Sequence, residues 1–172
     1  MNHTYFDSPH GLMNSYNFST AYDLGRLTMI CMKVPLIREI VSTHKYVCHS
    51  LNTENPHEYR WENTNQMLKM PGYIGAKTGI TESAGPCLAI TYEDKEHSFV
   101  IILLNSKSME ERWREVPKLV EWAISRQQLQ RSESNNFITN SGSLFGFSQQ
   151  HNPDKVSTQV VSSKNHRENP IN

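Results

Sequence analysis

Six apolar residues in succession, Phe99-Val100-Ile101-Ile102-Leu103-Leu104, constrain this chain more than any other feature. An extended strand points alternate side chains to opposite faces, so an apolar run without interruption has to be covered on both sides. The stretch from Ser98 to Leu104 is therefore expected at the centre of a sheet. Two strands lead up to it. Tyr73 to Thr81 is the first, and Gly85 to Tyr92 the second, ending in the turn Glu93-Asp94-Lys95-Glu96. Close succession makes these antiparallel neighbours. Downstream, Ser108-Met109-Glu110-Glu111 is a capping box that opens a helix to about Ser125. Trp113, Val116, Leu119, Val120 and Ala123 mark the face that packs on the sheet, and Pro117 should kink this helix or mark a later start.

Ahead of the strands, Ser19 is placed to cap a helix running to about Met32, with Asp23 near its positive end. Leu24, Leu27, Ile30 and Cys31 form its buried stripe. A second helix begins at Pro35, a good first-turn residue, and carries Leu36, Ile37, Ile40 and Val41. Lys45 to Leu51 and Glu58 to Trp61 read as extended, joined by a turn over Asn52 to His57. The fold class expected is α+β, an antiparallel sheet with a C-terminal helix packed across it. Composition changes near Arg126. From there to Asn172 Gln, Ser and Asn dominate, and about one residue in five is apolar. Too little surface is available there to offset ordering entropy, so residues 126–172 are expected to be a disordered tail after a domain at 1–125. Phe137, Leu144, Phe145 and Phe147 are its apolar residues considered for transient docking.

The 172 residues carry 17 basic and 17 acidic side chains, which argues against a general nucleic-acid or anionic-membrane binder. No stretch of eighteen apolar residues exists to span a bilayer, and the start Met1-Asn2-His3-Thr4-Tyr5-Phe6-Asp7 has no secretion-signal pattern. Cys31, Cys48 and Cys87 form no CxxC pair and read as buried thiols.

The stretch richest in chemistry is Gly75-Ala76-Lys77-Thr78-Gly79-Ile80-Thr81, followed by Ala84-Gly85-Pro86-Cys87-Leu88. Lys77 places a cation on a strand, Thr78 adds a hydroxyl, and Gly79 leaves out a side chain where another backbone would approach. Together they suit an extended ligand that ends in a carboxylate and pairs with the strand edge.

A tripeptide alone is weak, but its surroundings resemble the D-alanyl-D-alanine carboxypeptidases, the low-molecular-mass penicillin-binding proteins. Ser8-Pro9-His10-Gly11-Leu12 is similar to their His-Gly-Leu segment, and Ser19-Thr20-Ala21-Tyr22-Asp23-Leu24 to their Ser-Thr-Ala-x-Asp helix start. Asn63-Thr64-Asn65-Gln66-Met67-Leu68 resembles the Asn-x-Asn-x-x-Leu stretch ahead of the active-site strand. Lys77-Thr78-Gly79-x-Thr81, Ala84-Gly85 and Cys87-Leu88 then follow in the family's order. The resemblance covers roughly residues 1 to 125 and implies part of a β-lactamase/transpeptidase-like domain.

By that resemblance Lys77 supplies positive potential for a peptide's terminal carboxylate, and Thr78 hydrogen-bonds it. The Ile80 backbone N–H is one oxyanion donor. Lys107 falls where many relatives carry a carboxylate-binding arginine, without that residue's fork of donors. The family's Ser-x-x-Lys nucleophile and its Ser-x-Asn element lie upstream of the His-Gly-Leu segment, so the chain resembles the second half of the catalytic domain. Ser42-Thr43-His44-Lys45 and Ser50-Leu51-Asn52 imitate both motifs. With 18 serines and 9 lysines, about one chance Ser-x-x-Lys is expected, and Ser42 falls at a helix end rather than a helix start.

The activity implied for a complete domain is serine-type removal of D-alanine from peptides ending in D-Ala-D-Ala, with β-lactams as the other ligands. No metal or organic cofactor is implied. The isolated chain is expected to be inactive. A non-catalytic remnant or binding module that keeps the Lys77-Thr78-Gly79 cleft edge is the alternative. A β-lactamase is less favoured, because no residue to activate a deacylating water is identifiable. Family relatives usually work outside the cytoplasmic membrane. Elsewhere, His44 and His49 lie five apart on a strand and point to opposite faces, which does not suit a shared metal. His10 and Asp23 read as structural, and Trp61, Trp113 and Trp122 as packing residues rather than a sugar platform.

Overall fold

The computed structural model describes residues 1–12, 16–51, 54–141 and 159–163. Two helices, α1 (Ala21–Cys31) and α2 (Pro35–Ser42), precede a hairpin of β1 (Lys45–His49) and β2 (Glu58–Glu62). A 3₁₀ turn at Gln66–Lys69 leads into β3 (Tyr73–Thr81), β4 (Gly85–Glu93) and β5 (Ser98–Leu103). The long helix α3 (Met109–Ser141) follows, then β6 (Gln159–Ser163). The main sheet has the order β3-β4-β5-β6. Its first three strands are antiparallel, while β6 runs parallel to β5. The fold is α+β, with α3 packed across the sheet.

β5 lies inside the sheet, as its sequence predicts. Phe99, Val100, Ile101, Ile102 and Leu103 are all buried. Phe99, Ile101 and Leu103 join Leu88 and Ile90 of β4 against Val116, Val120 and Ala123 of α3. Val100 and Ile102 alternate to the opposite face, where α1 packs. Two helices on opposite faces are what an apolar strand with no polar side demands.

Other elements differ from expectation in detail. Thr20, rather than Ser19, is the cap of α1: its Oγ1 accepts from the Asp23 N–H at 3.1 Å, whereas Ser19 Oγ pairs with Thr4 Oγ1. Ile30, placed on the buried stripe of α1, is exposed, and Asp23, Gly25 and Thr28 are buried instead. The N-terminal segment covers part of the α1 face, and its Thr4 hydroxyl donates to Asp23 at 2.8 Å. α3 starts at Met109 and runs through Pro117 without a later start. It continues past Ser125 to Ser141, and Gln159–Ser163 run beside β5. β3, β4 and β5 form the antiparallel sheet expected, and β6 runs parallel beside β5. Leu144, Phe145 and Phe147 lie outside the described residues. The three cysteines are unpaired and only half-buried.

α2 is fastened to the sheet in two places. Arg38 makes a bidentate pair with Glu93 at the end of β4, Nη1 to Oε1 at 2.9 Å and Nη2 to Oε2 at 2.5 Å. At the other fastening, Gly75 of β3 passes so close to α2 that a Cβ there would stand 2.0 Å from the Val41 carbonyl oxygen. Gly75→Ala is expected to push α2 off β3 and cost about 1–3 kcal/mol, measured by denaturant unfolding.

The β4–β5 turn is closed by Asp94, whose Oδ1 accepts the Glu96 N–H at 2.8 Å and the His97 N–H at 2.7 Å. The Glu96 bond first, then those from His97 and Tyr92, hold its carboxyl down to about 2. A depressed carboxyl stabilises the fold fully above its ordinary value of 3.8 and loses that contribution as pH falls toward about 2. Asp94→Asn should therefore flatten the stability-versus-pH curve between pH 4 and about 2, read from urea midpoints across that window.

Candidate functional site

Among the described residues β3 is the outer strand of its sheet, so one side of its backbone faces no neighbouring strand. Its register gives the direction of each peptide. Ile80 stands opposite Pro86, whose carbonyl accepts from the Ser106 N–H at 2.9 Å on the β5 side. A residue in an antiparallel strand sends its N–H and C=O to the same side, and opposed residues alternate between facing and averted. Pro86 is averted from β3, so Ile80 is averted from β4, and its N–H faces the free edge. Thr78, two residues back, faces the same way. Pro86 costs the ladder nothing here, because its missing N–H would not have pointed at β3.

Lys77 and Thr78 border an open groove of about 620 Å³ that also touches Gly79, Ile80, Thr81 and Arg112. Lys77 is exposed, and its Nζ donates to the Thr78 carbonyl. The Thr78 hydroxyl lies 2.7 Å from that of Thr64. A Cβ added at Gly79 would meet nothing within 4 Å, so the space over this glycine is open to an incoming chain. A cation, a hydroxyl, an outward N–H and a bare backbone therefore share one strand edge.

The asparagines before β3 set where Thr64 stands. Asn63 Nδ2 donates to the Val41 carbonyl at 3.2 Å and the Thr43 carbonyl at 3.0 Å, closing the C-terminal end of α2. Its Oδ1 accepts the Asn65 N–H at 2.9 Å. Asn65 is buried and caps the 3₁₀ turn through the Met67 N–H at 3.1 Å. Met67 and Leu68 then anchor the segment in the core. Alternate asparagines thus tie α2 and the turn together, with Thr64 between them facing Thr78. Asn63→Ala, which strips the donor from two carbonyls, should cost about 1–3 kcal/mol in thermal or denaturant unfolding.

The remaining candidates fall on both sides. Lys107 is exposed and does not border the groove; Arg112 does, from the first turns of α3. Arg112 is only 2% exposed, and its Nη1 donates to the Gly79 carbonyl at 3.2 Å and the Cys87 carbonyl at 2.9 Å. Its signal in the sequence was a charged residue four before Val116, in step with the buried stripe of α3. Ser42 ends α2 and Lys45 begins β1, so this Ser-x-x-Lys does not open a helix. Asn52 lies outside the described residues.

His10 borders the groove, but its Nδ1 accepts the Leu12 N–H at 3.0 Å, a structural use. Asp23 accepts from the Thr4 hydroxyl at 2.8 Å and the His3 N–H at 2.9 Å, and these bonds lower its pKa. Trp61 lies on the solvent side of the β1–β2 hairpin, stacked on Tyr59 and Tyr46, and Trp122 is also exposed. Trp113 is half-buried against the core beside Arg112. Beside the site, Leu24, Leu27, Cys31, Met32, Ile37 and Val41 line a second, apolar groove of about 380 Å³ that reaches Lys77 and Thr78. Among the described residues no group of three or more His, Cys, Asp or Glu side chains is placed to hold a metal, and no helix is long and apolar enough to cross a membrane.

Comparison with known proteins converges on one group. A family model described as D-alanyl-D-alanine carboxypeptidase matches residues 1–108. The D-alanyl-D-alanine carboxypeptidase DacF of Bacillus subtilis is 27% identical over 130 residues, 74% of this chain and 32% of that protein. The D-alanyl-D-alanine carboxypeptidase of Streptomyces sp. strain K15 is 27% identical over 128 residues, 73% of this chain and 44% of that protein. The crystal structure of the Streptomyces K15 DD-transpeptidase superposes with a TM-score of 0.65 at 31% identity, over 71% of this chain and 48% of that one. The chain thus spans less than half the length of these relatives. Penicillin-binding protein D2 from Listeria monocytogenes, in its cefotaxime-bound form, superposes with a TM-score of 0.56 at 30% identity, over 69% of this chain and 47% of that one.

Proposed function

Because the chain belongs to the D-alanyl-D-alanine carboxypeptidase family, we propose that it forms the substrate-carboxylate side of a serine acyl-transfer site. One observation carries this reading: Lys77, Thr78 and the outward Ile80 N–H share the free edge of β3 along a groove. A peptide ending in D-Ala-D-Ala lies antiparallel along that edge and adds a strand, its terminal carboxylate against the Thr78 hydroxyl and the Lys77 ammonium. Gly79 leaves room for the approach. A β-lactam presents its own carboxylate to the same pair.

The nucleophile belongs to the part of the domain that this chain does not span. There a serine hydroxyl, deprotonated with the help of its Ser-x-x-Lys lysine, attacks the carbonyl of the penultimate D-alanine. The tetrahedral oxyanion takes a hydrogen bond from the Ile80 N–H. Collapse breaks the peptide bond, the proton passes to the leaving amine, and D-alanine departs. Water then hydrolyses the serine ester and releases the shortened peptide.

The chain by itself should form no covalent adduct with a fluorescent penicillin, as read by intact mass; a stoichiometric adduct on Ser42 or another serine would move the nucleophile into this chain. A D-Ala-D-Ala-terminated peptide should shift the amide resonances of Thr78 and Ile80. Gly79→Ala should abolish those shifts while changing stability by no more than about 1 kcal/mol, since its Cβ meets only open space.

A second reading rests on the apolar groove between α1, α2 and the sheet. In a binding module that groove takes a partner chain, and the Lys77-Thr78-Gly79 edge serves as a peptide cleft without turnover. Restored penicillin acylation on adding a Ser-x-x-Lys half-domain favours the enzyme; tight complex formation without acylation favours the module.

A further inference from the structure

The outer side of α2 and the aromatic face of the β1–β2 hairpin meet in a groove of about 590 Å³, which shares no bordering residue with the one along β3. Hairpin register builds one wall. Tyr46 stands opposite Trp61, and Tyr59 lies two residues before Trp61 on the same strand, so the three rings share a face. Trp61 is stacked on both neighbours, its ring centroid 6.0 Å from that of Tyr46 and 5.6 Å from that of Tyr59. The other wall is α2. Its Ile37 and Val41 border the apolar groove over the sheet, whereas Leu36 and Ile40 border this one. Leu36, Ile40, Tyr46 and Trp61 are each more than half exposed.

Exposed apolar side chains gathered in one place mark a contact surface. The charge around them narrows the partner. Glu39 of α2 and Glu62 of β2 border the groove, and no lysine or arginine does. Neither carboxylate has an ion pair among the described residues. The nearby cations are engaged elsewhere or stand apart: Arg38 holds Glu93, Arg60 and His49 pair with Glu58, and Lys45, though opposite Glu62 in the ladder, makes no ion pair with it.

An aromatic pair next to unpaired carboxylates complements a guanidinium. Its plane stacks on indole and phenol rings while its forked donors reach carboxylate oxygens; a lysine ammonium supplies the charge without the plane. Leu36 and Ile40 suit aliphatic residues beside that arginine. Stacking already restrains the Trp61 ring, so little side-chain freedom remains to be lost on binding.

We infer that the groove between α2 and the β1–β2 hairpin binds an arginine-bearing apolar segment of a partner polypeptide. The guanidinium lies against the Tyr46–Trp61 pair, with Glu39 and Glu62 as its counter-charges. This site stands independently of the function proposed for the β3 edge.

The test titrates ¹⁵N-labelled whole chain with the peptide acetyl-Leu-Arg-Ala-Leu-amide and with the same peptide carrying citrulline for arginine. Citrulline keeps the planar end of the side chain and removes its charge. The arginine peptide should shift the Trp61 indole N–H resonance and bind about fivefold more tightly than the citrulline peptide, an advantage that shrinks as salt is raised. Glu39→Gln, at an exposed position, should weaken binding of the arginine peptide about threefold and leave that of the citrulline peptide unchanged. Equal binding of the two peptides would reduce the face to a merely apolar one. No shift of Trp61 with either peptide at millimolar concentration would mean that no site exists. Shifts of Trp61 on raising the chain's own concentration, without peptide, would make a second copy the occupant. Each of these three results overturns the inference.

Discussion

Burial of β5 on both faces is the constraint from which the remaining structure follows. Phe99, Ile101 and Leu103 require a helix on one side, and Val100 and Ile102 require another on the other. α3 and α1 meet those demands. A strand so enclosed cannot be an edge, and β4 and β6 flank it. β3 is thereby left as the outer strand of the antiparallel part. The hydrophobic run that carries no chemistry of its own thus decides where the chemical strand lies.

The site is built on the contrast between those two strands. β5 has no polar side chain between Phe99 and Leu103, whereas β3 carries Lys77 and Thr78 and leaves the Ile80 N–H averted from its partner. Edge strands are ordinarily a hazard, since unpaired backbone groups invite association. Here the exposed edge carries Lys77, a usual device against indiscriminate pairing. Asn63 and Asn65 add rigidity from beneath by joining the end of α2 to the turn before β3, which sets Thr64 against Thr78.

Much of this was legible beforehand because it rests on local signals. The run at 99–104, the capping residues Ser108 and Glu111, Pro35 at a helix start and the Lys77-Thr78-Gly79 strand all act within a few residues of themselves. Where expectation and structure part, long-range contacts decided. Ile30 has helical spacing for burial but is exposed. Lys107 held the expected sequence position for a groove cation, but Arg112, five residues on, is the one the first turns of α3 bring to it.

The sequence by itself determined that the chain would place a twice-covered strand inside a sheet and a cationic Lys-Thr-Gly strand near it, because alternation and hydrophobic runs are read locally. Only the tertiary structure decided that this second strand lies outermost, that Ile80 turns its N–H outward, and that Arg112 reaches 33 residues back to the Gly79 carbonyl. The physical reason is that strand order, peptide direction and a buried cation's choice of partner are set by which surfaces meet. Those meetings join residues that no local pattern relates.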